Sequence, residues 1–161
     1  MAIASPVDAL VSAADPSRRL SYTLALTGAQ VQIRIKVKNR QTREVIVGAV
    51  IGSIRRPESV IAAALIDGEL AVVGRTVSLT TVQATDLAKH LTPADDDHPW
   101  PDELSTGLFG QRARVAITKV RPELVLEVAA DPALQGRRYR HALRYLRLRA
   151  DMDPTDVDEP A

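Results

Sequence analysis

Apolar and polar positions alternate with a period of two over residues 31–38: Val31, Ile33, Ile35 and Val37 are apolar, and Gln32, Arg34, Lys36 and Lys38 are polar. This predicts a strand with one face in a core and one cationic face. Residues 45–51 are nearly continuous apolar sequence broken by Gly48, the pattern of a strand that bends sharply or is covered on both sides. Two more apolar runs, 60–66 and 69–73, flank Asp67-Gly68, the signature of a type I′ hairpin. Together these four strands are predicted to form a meander. The period then changes. Thr80-Thr81-Val82-Gln83 matches a capping box, and Ala84, Leu87, Ala88 and Leu91 follow at helical spacing, which predicts one amphipathic helix. After an acidic loop rich in Pro and Gly over 93–110, strands are expected at 112–120, 123–130 and 142–149, with Leu146 and Leu148 pointing inward. Near the start, Ser5-Pro6 reads as a helix N-terminus, with Val7, Leu10, Val11 and Ala14 on one face and Asp15-Pro16 as the stop.

A strand meander, one helix and further strands within one domain length predict an all-β fold with one or two short helices, a small β-barrel of the OB type. The inserted helix favours this over an SH3-like barrel, which periodicity alone leaves open. The expected organisation is an N-terminal arm with a short helix over 1–28, the barrel over 29–150 and an acidic, frayed tail over 151–161.

Composition narrows the chemistry. The chain has 161 residues and no cysteine, which excludes disulfides, thiolate metal sites and thiol nucleophiles. Neither a membrane-length apolar run nor a basic segment before one is visible, so a soluble, cytoplasmic protein is expected. The net charge of +1 hides segregation along the chain. Residues 34–56 carry seven basic side chains against Glu44, and residues 112–149 carry ten against three acids. Residues 58–103 hold nine acids against two basic residues, and the last eleven residues add five acids. Such blocks predict one basic and one acidic face.

Arg34, Lys36 and Lys38 share strand parity, which gives a row of cations about 6.5–7 Å apart. Arg147 and Arg149 repeat that arrangement on the last strand. With Arg40 and Arg43 they make the candidate DNA-binding set, since Lys and Arg neutralise phosphates without reading sequence. Five aromatic residues, Tyr22, Trp100, Phe109, Tyr139 and Tyr145, are too few for a single-strand stacking platform, so duplex backbone is the expected partner. Asp95, Asp96, Asp97 and His98 are consecutive loop residues that rarely converge on one ion, so no metal is assigned. His90 and His141 lack a recognisable paired nucleophile, and no Walker-type loop is present. No catalytic residue and no cofactor are assigned.

The segment IRIKVKNRQTREVIVGAVIG over 33–52 resembles the start of the OB domain in bacterial ATP-dependent DNA ligases. Residues 122–128, Arg138-Tyr139-Arg140-His141 and the run 144–151 resemble the closing segment and nucleotidyltransferase motif VI of that family. The His98-Pro99-Trp100-Pro101 loop fits some of its members. The resemblance covers roughly residues 30–158 and implies the C-terminal OB domain. It also implies that Lys36 and Lys38 lie at a hinge near phosphates, and that Arg149 and Asp151 are what is left of a motif that orients the pyrophosphate of ATP. The chain departs from the family in having Arg34 for a common Trp and Met152 for the motif VI lysine. None of its four lysines begins Lys-x-Asp-Gly, so nothing in this sequence supplies the nucleophile for AMP.

Three functions are therefore carried forward. The first is a stand-alone OB module that binds duplex DNA in repair or ligation and is not catalytic alone. The second is the OB subunit of a split ligase acting with a separate adenylation-domain protein. The third is a purely structural interaction module whose basic face meets an acidic protein, a repair partner being the alternative to duplex DNA under the first.

Overall fold

The structure, a computed structural model, describes residues 20–26, 29–35, 40–105 and 113–161, with side chains described from residue 40 onward. The chain divides into two units, 1–39 and 40–161.

In the first unit, β1 (Leu20–Leu26) and β2 (Ala29–Ile35) form an antiparallel hairpin from Leu20 opposite Ile35 to Leu26 opposite Ala29. The alternating segment is therefore a strand, as expected. It pairs with β1 in a two-stranded sheet of its own rather than opening the meander. The helix expected at 5–15 lies outside the described residues, as do Lys36 and Lys38.

The second unit is built on β3 (Gln41–Ser53), β4 (Arg56–Ile66) and β5 (Glu69–Arg75). These three strands are consecutive antiparallel neighbours. Between β4 and β5, Asp67 and Gly68 have φ of 53° and 81°, the pair of left-handed residues that a type I′ turn requires. Next comes α1 (Thr81–Ala88), opened by the predicted capping box: Gln83 N–H donates to Thr80 Oγ1 at 3.2 Å, and Thr80 N–H donates to Gln83 Oε1 at 3.0 Å. Leu87 is buried beneath the helix.

The remaining strands are shorter than their apolar runs. They are β6 (Glu103–Ser105), β7 (Arg114–Ala116), β8 (Thr118–Lys119), β9 (Val125–Ala130), β10 (Leu134–Gln135), β11 (Arg138–Tyr139) and β12 (Arg144–Leu148). The expected single strand over 112–120 is divided at Ile117, where pairing changes partner: its N–H donates to Asp102 O at 2.9 Å in the register of β6, whereas Thr118 and Lys119 pair with β3. In the main sheet the order is β12-β9-β3-β4-β5, with β8 also on β3. Its two ends approach each other at a parallel bridge between Thr76 and Leu143. Leu143 N–H donates to Arg75 O at 2.9 Å and Val77 N–H to Leu143 O at 2.8 Å. Among the described residues the domain is mostly β with one α-helix, and this order with its closing bridge is compatible with a partly open OB-type barrel.

Val45, Ile46, Val47, Ala49 and Val50 on β3 are all buried, because the strand is covered on both sides and shifts register around Gly48. Trp100 supplies the second cover. A Cβ at position 48 would overlap its ring, and its indole N–H donates to Leu70 O at 2.8 Å.

Two expectations are corrected. A register shift between Tyr145 and Arg147 turns Tyr145 into the core and leaves Leu146 exposed, because an extra residue in the strand breaks the period of two. The acidic tail is not frayed: Asp153 caps a 3₁₀ turn at Pro154–Asp156, and Val157 is buried in the core. Among the described residues, no helix is long and apolar enough to cross a membrane.

The fit of Trp100 over Gly48 is directly testable. Gly48→Ala inserts a methyl where the indole lies and is expected to destabilise the domain by roughly 1–3 kcal/mol. An unchanged denaturant midpoint would show that the ring does not require the glycine.

Candidate nucleic-acid interface

The outer face of the sheet is set by cross-strand register. On β3 and β9, Glu44 stands opposite Glu127, and on β12 Arg147 stands opposite Glu127 in turn. Two carboxylates directly opposite repel each other, so this pair needs cations. Arg147 donates from Nε and Nη2 to Glu127 Oε2 at 3.0 and 2.7 Å. Arg149 reaches three acids. Its Nη1 donates to Glu44 Oε1 at 3.1 Å and Glu127 Oε2 at 3.4 Å, and its Nε and Nη2 grip the two oxygens of Asp151 at 2.9 and 3.0 Å. This network is half-sheltered, with side-chain exposures of 20% at Arg149 and 16% at Glu127. Two guanidiniums thus sit among three carboxylates, so the cluster as a whole is anionic.

The electrostatics follow from these contacts. Hydrogen bonds from Arg147 hold the Glu127 carboxyl below its ordinary value. Those from Arg149 do the same for Asp151, and Asp151 in turn raises the Arg149 guanidinium. Bidentate pairing of this kind fixes geometry as well as charge.

The expected site residues therefore separate. Arg147 and Arg149 come together, but with carboxylate partners instead of as an open row. Arg34 stands opposite Ser21 in the separate β1–β2 hairpin. Arg40 is exposed just before β3, and the half-buried Arg43 donates to Gln41 Oε1 at 2.8 Å. Tyr145, expected beside the arginine row, is buried, as are Tyr139 and Trp100. Those three rings are unavailable for stacking on a base.

Sequence reading missed Glu44 and Glu127 as partners of the arginines. The signal was present in Glu44 as the lone acid of a basic block and in Glu127 as a charge inside an apolar strand.

The acidic loop is structural. Asp95 pairs with Arg121 at 3.0 Å, and Asp102 with Lys119 at 2.8 Å. His98 Nε2 hydrogen-bonds Gly48 O at 3.0 Å, while its Nδ1 accepts from Trp100 N–H at 3.2 Å. That arrangement uses the neutral ring, and burial lowers the imidazole pKa accordingly.

A mostly β domain of this order, closing on an Arg–Asp pair, is consistent with a ligase-related C-terminal domain, and the sequence comparison supports a relation to the DNA ligases. The chain is 36% identical over 96 residues to DNA ligase C1 of Mycolicibacterium smegmatis, and 32% identical over 104 residues to DNA ligase C of Mycobacterium tuberculosis. Each match covers 55% of this chain but only 26% and 28% of the relative, so the chain spans about a quarter of their length. In fold it is similar to the ligase domain of M. tuberculosis LigD, with a TM-score of 0.60, 24% identity, and 81% of this chain and 41% of that one covered. A mycobacterial DNA ligase D complexed with ATP and MES gives 0.57 at 22% identity, over 81% of this chain and 40% of that one. No protein-family model matches the chain.

A carboxylate whose pKa is depressed on folding adds stability above its ordinary value, and this is lost as pH falls through the folded value. The network should therefore contribute fully at neutral pH and fail on acidification below the usual carboxylate range. Thermal unfolding across that range is expected to fall less steeply with pH in Glu127→Gln than in the unsubstituted protein. Parallel curves would remove the network from the acid response.

Proposed function

We propose that this domain binds the backbone of duplex DNA in strand repair or ligation, as a ligase-derived OB-type module that is not catalytic by itself. The supporting observation is its sequence relation to proteins named DNA ligase C1 and DNA ligase C over just over half of the chain. The proposed phosphate contacts are Arg34, Lys36, Lys38, Arg40 and Arg43, cations that precede or open β3. They hold a duplex through charge, without base readout. A nucleotide-handling role is not proposed for Arg149 and Asp151: they bond each other, and no lysine among these 161 residues lies in a Lys-x-Asp-Gly sequence.

A second reading, as a subunit completing a separate adenylating protein, is favoured by one surface. Val82 on α1 and Leu146 on β12 are 78% and 43% exposed and line the same groove. An apolar groove of this kind suits a protein partner better than a phosphate.

Duplex binding should weaken linearly in log affinity against log salt, by about 0.9 per phosphate contacted, with little dependence on sequence. Lys36→Ala with Lys38→Ala should lower that slope by roughly two. Absence of duplex binding near 50 mM salt, where such contacts are strengthened, would overturn the proposal. Labelled ATP and magnesium should leave the chain unlabelled, and covalent AMP on any lysine would contradict its non-catalytic role.

A further inference from the structure

The cations of the second unit differ in how fully they are already satisfied. Arg114, Arg121, Arg137, Arg147 and Arg149 each pair with a carboxylate. Arg138 donates to Val72 O at 3.2 Å. Arg40, Arg55, Arg56, Arg140 and Arg144 are exposed and have no carboxylate partner among the described residues; Arg55 and Arg56 lie at the β3–β4 turn, away from the other three.

Arg40 and Arg144 lie at the end of the sheet where β3 and β12 begin. Arg144 stands opposite Ala129, and Ala129 opposite Thr42. Arg40 immediately precedes β3, two residues before Thr42, and is exposed. Two strand spacings and two residue rises separate Arg40 from Arg144 by roughly 12 Å. Arg140 lies in the connection between β9 and β12, held there by its N–H donating to Ala133 O at 3.0 Å. His141 beside it is exposed. The acid in that connection, Asp131, is half-buried and accepts from Ala133 N–H at 2.9 Å.

We infer that the edge carrying Arg40, Arg140 and Arg144 is a phosphate-contacting surface of this domain, and that the carboxylate-paired Arg147 and Arg149 are not. The inference rests on the duplex-binding reading and adds the edge of the sheet through which the second unit meets the backbone. Guanidiniums free of carboxylates can grip phosphate oxygens in bidentate fashion without first breaking an ion pair. Arg147 and Arg149 would have to surrender Glu127, Glu44 and Asp151, whose summed charge repels the same phosphates. The unpaired edge thus gains the counterion release that drives backbone binding, and the anionic network beside it disfavours a phosphate there.

The test uses the full chain and a generic duplex in a salt titration. Arg40→Gln, Arg140→Gln and Arg144→Gln together should lower the log–log slope by between roughly two and three, at about 0.9 per contact. The unfolding midpoint should hold, since none of the three has an ion pair to lose. The charge-neutral double variant Arg147→Gln with Glu127→Gln should keep the original slope. If the unsubstituted chain binds and the triple variant retains its slope, or the double variant loses as much, this inference is overturned while duplex binding stands. If the unsubstituted chain fails to bind, the duplex reading falls and takes the inference with it. Equal competition by polyglutamate, charge for charge, would assign the edge to an acidic protein and overturn the DNA assignment.

Discussion

Two backbone hydrogen bonds at Leu143 carry the architecture of the second unit. They join the strand that ends at Arg75 to the strand that begins at Arg144, so the two end strands of the sheet order meet although about half of the domain separates them in sequence. The contact bridges the two edge strands at their ends, at Thr76 and Leu143, and no ladder runs between them among the described residues. With it, Leu143 becomes a fully buried side chain, packed close to Gly74. The inward residues of β3, β4, β5 and β9 then share one core, and α1 lays Leu87 into the same core.

The outer face follows from that closure. Once β12 is locked beside β9, and β9 beside β3, Glu44, Glu127 and Arg147 fall into register across three strands. Their pairing is then a matter of distance rather than choice. Exposed ion pairs add little net stability individually, but a network with sheltered members fixes side-chain directions. It is in this sense that the charge of the sheet is organised into an anionic patch and a cationic edge.

Much of the fold was legible in residue order. Asp67-Gly68 named its turn because few residue pairs tolerate two positive φ values, and Thr80 with Gln83 named its helix start because each side chain answers the other's backbone. Gly48 within an apolar run announced both outcomes, a register shift and a cover. The site was less legible because it depends on relations between strands far apart in sequence. Alternation along β12 predicted Leu146 inside and the arginines in an open row, but one bulge near Tyr145 overturned the parity of Leu146. No count within a single strand reveals that Glu127 lies between Glu44 and Arg147. Pairing along 29–35 was hidden for the same reason: period two identifies a strand but not its neighbour.

The placement of Trp100 also determines what the protein reveals in solution. It is the single tryptophan of the chain, 7% exposed, with its indole N–H committed to Leu70 O and its ring seated over Gly48. Its emission is therefore blue-shifted and quencher-resistant while the sheet is closed, and reddens when the sheet opens. The charged outer face lacks any other indole to contribute light. Intrinsic fluorescence of this domain is consequently a clean gauge of folding and a nearly silent one for occupancy of its surface.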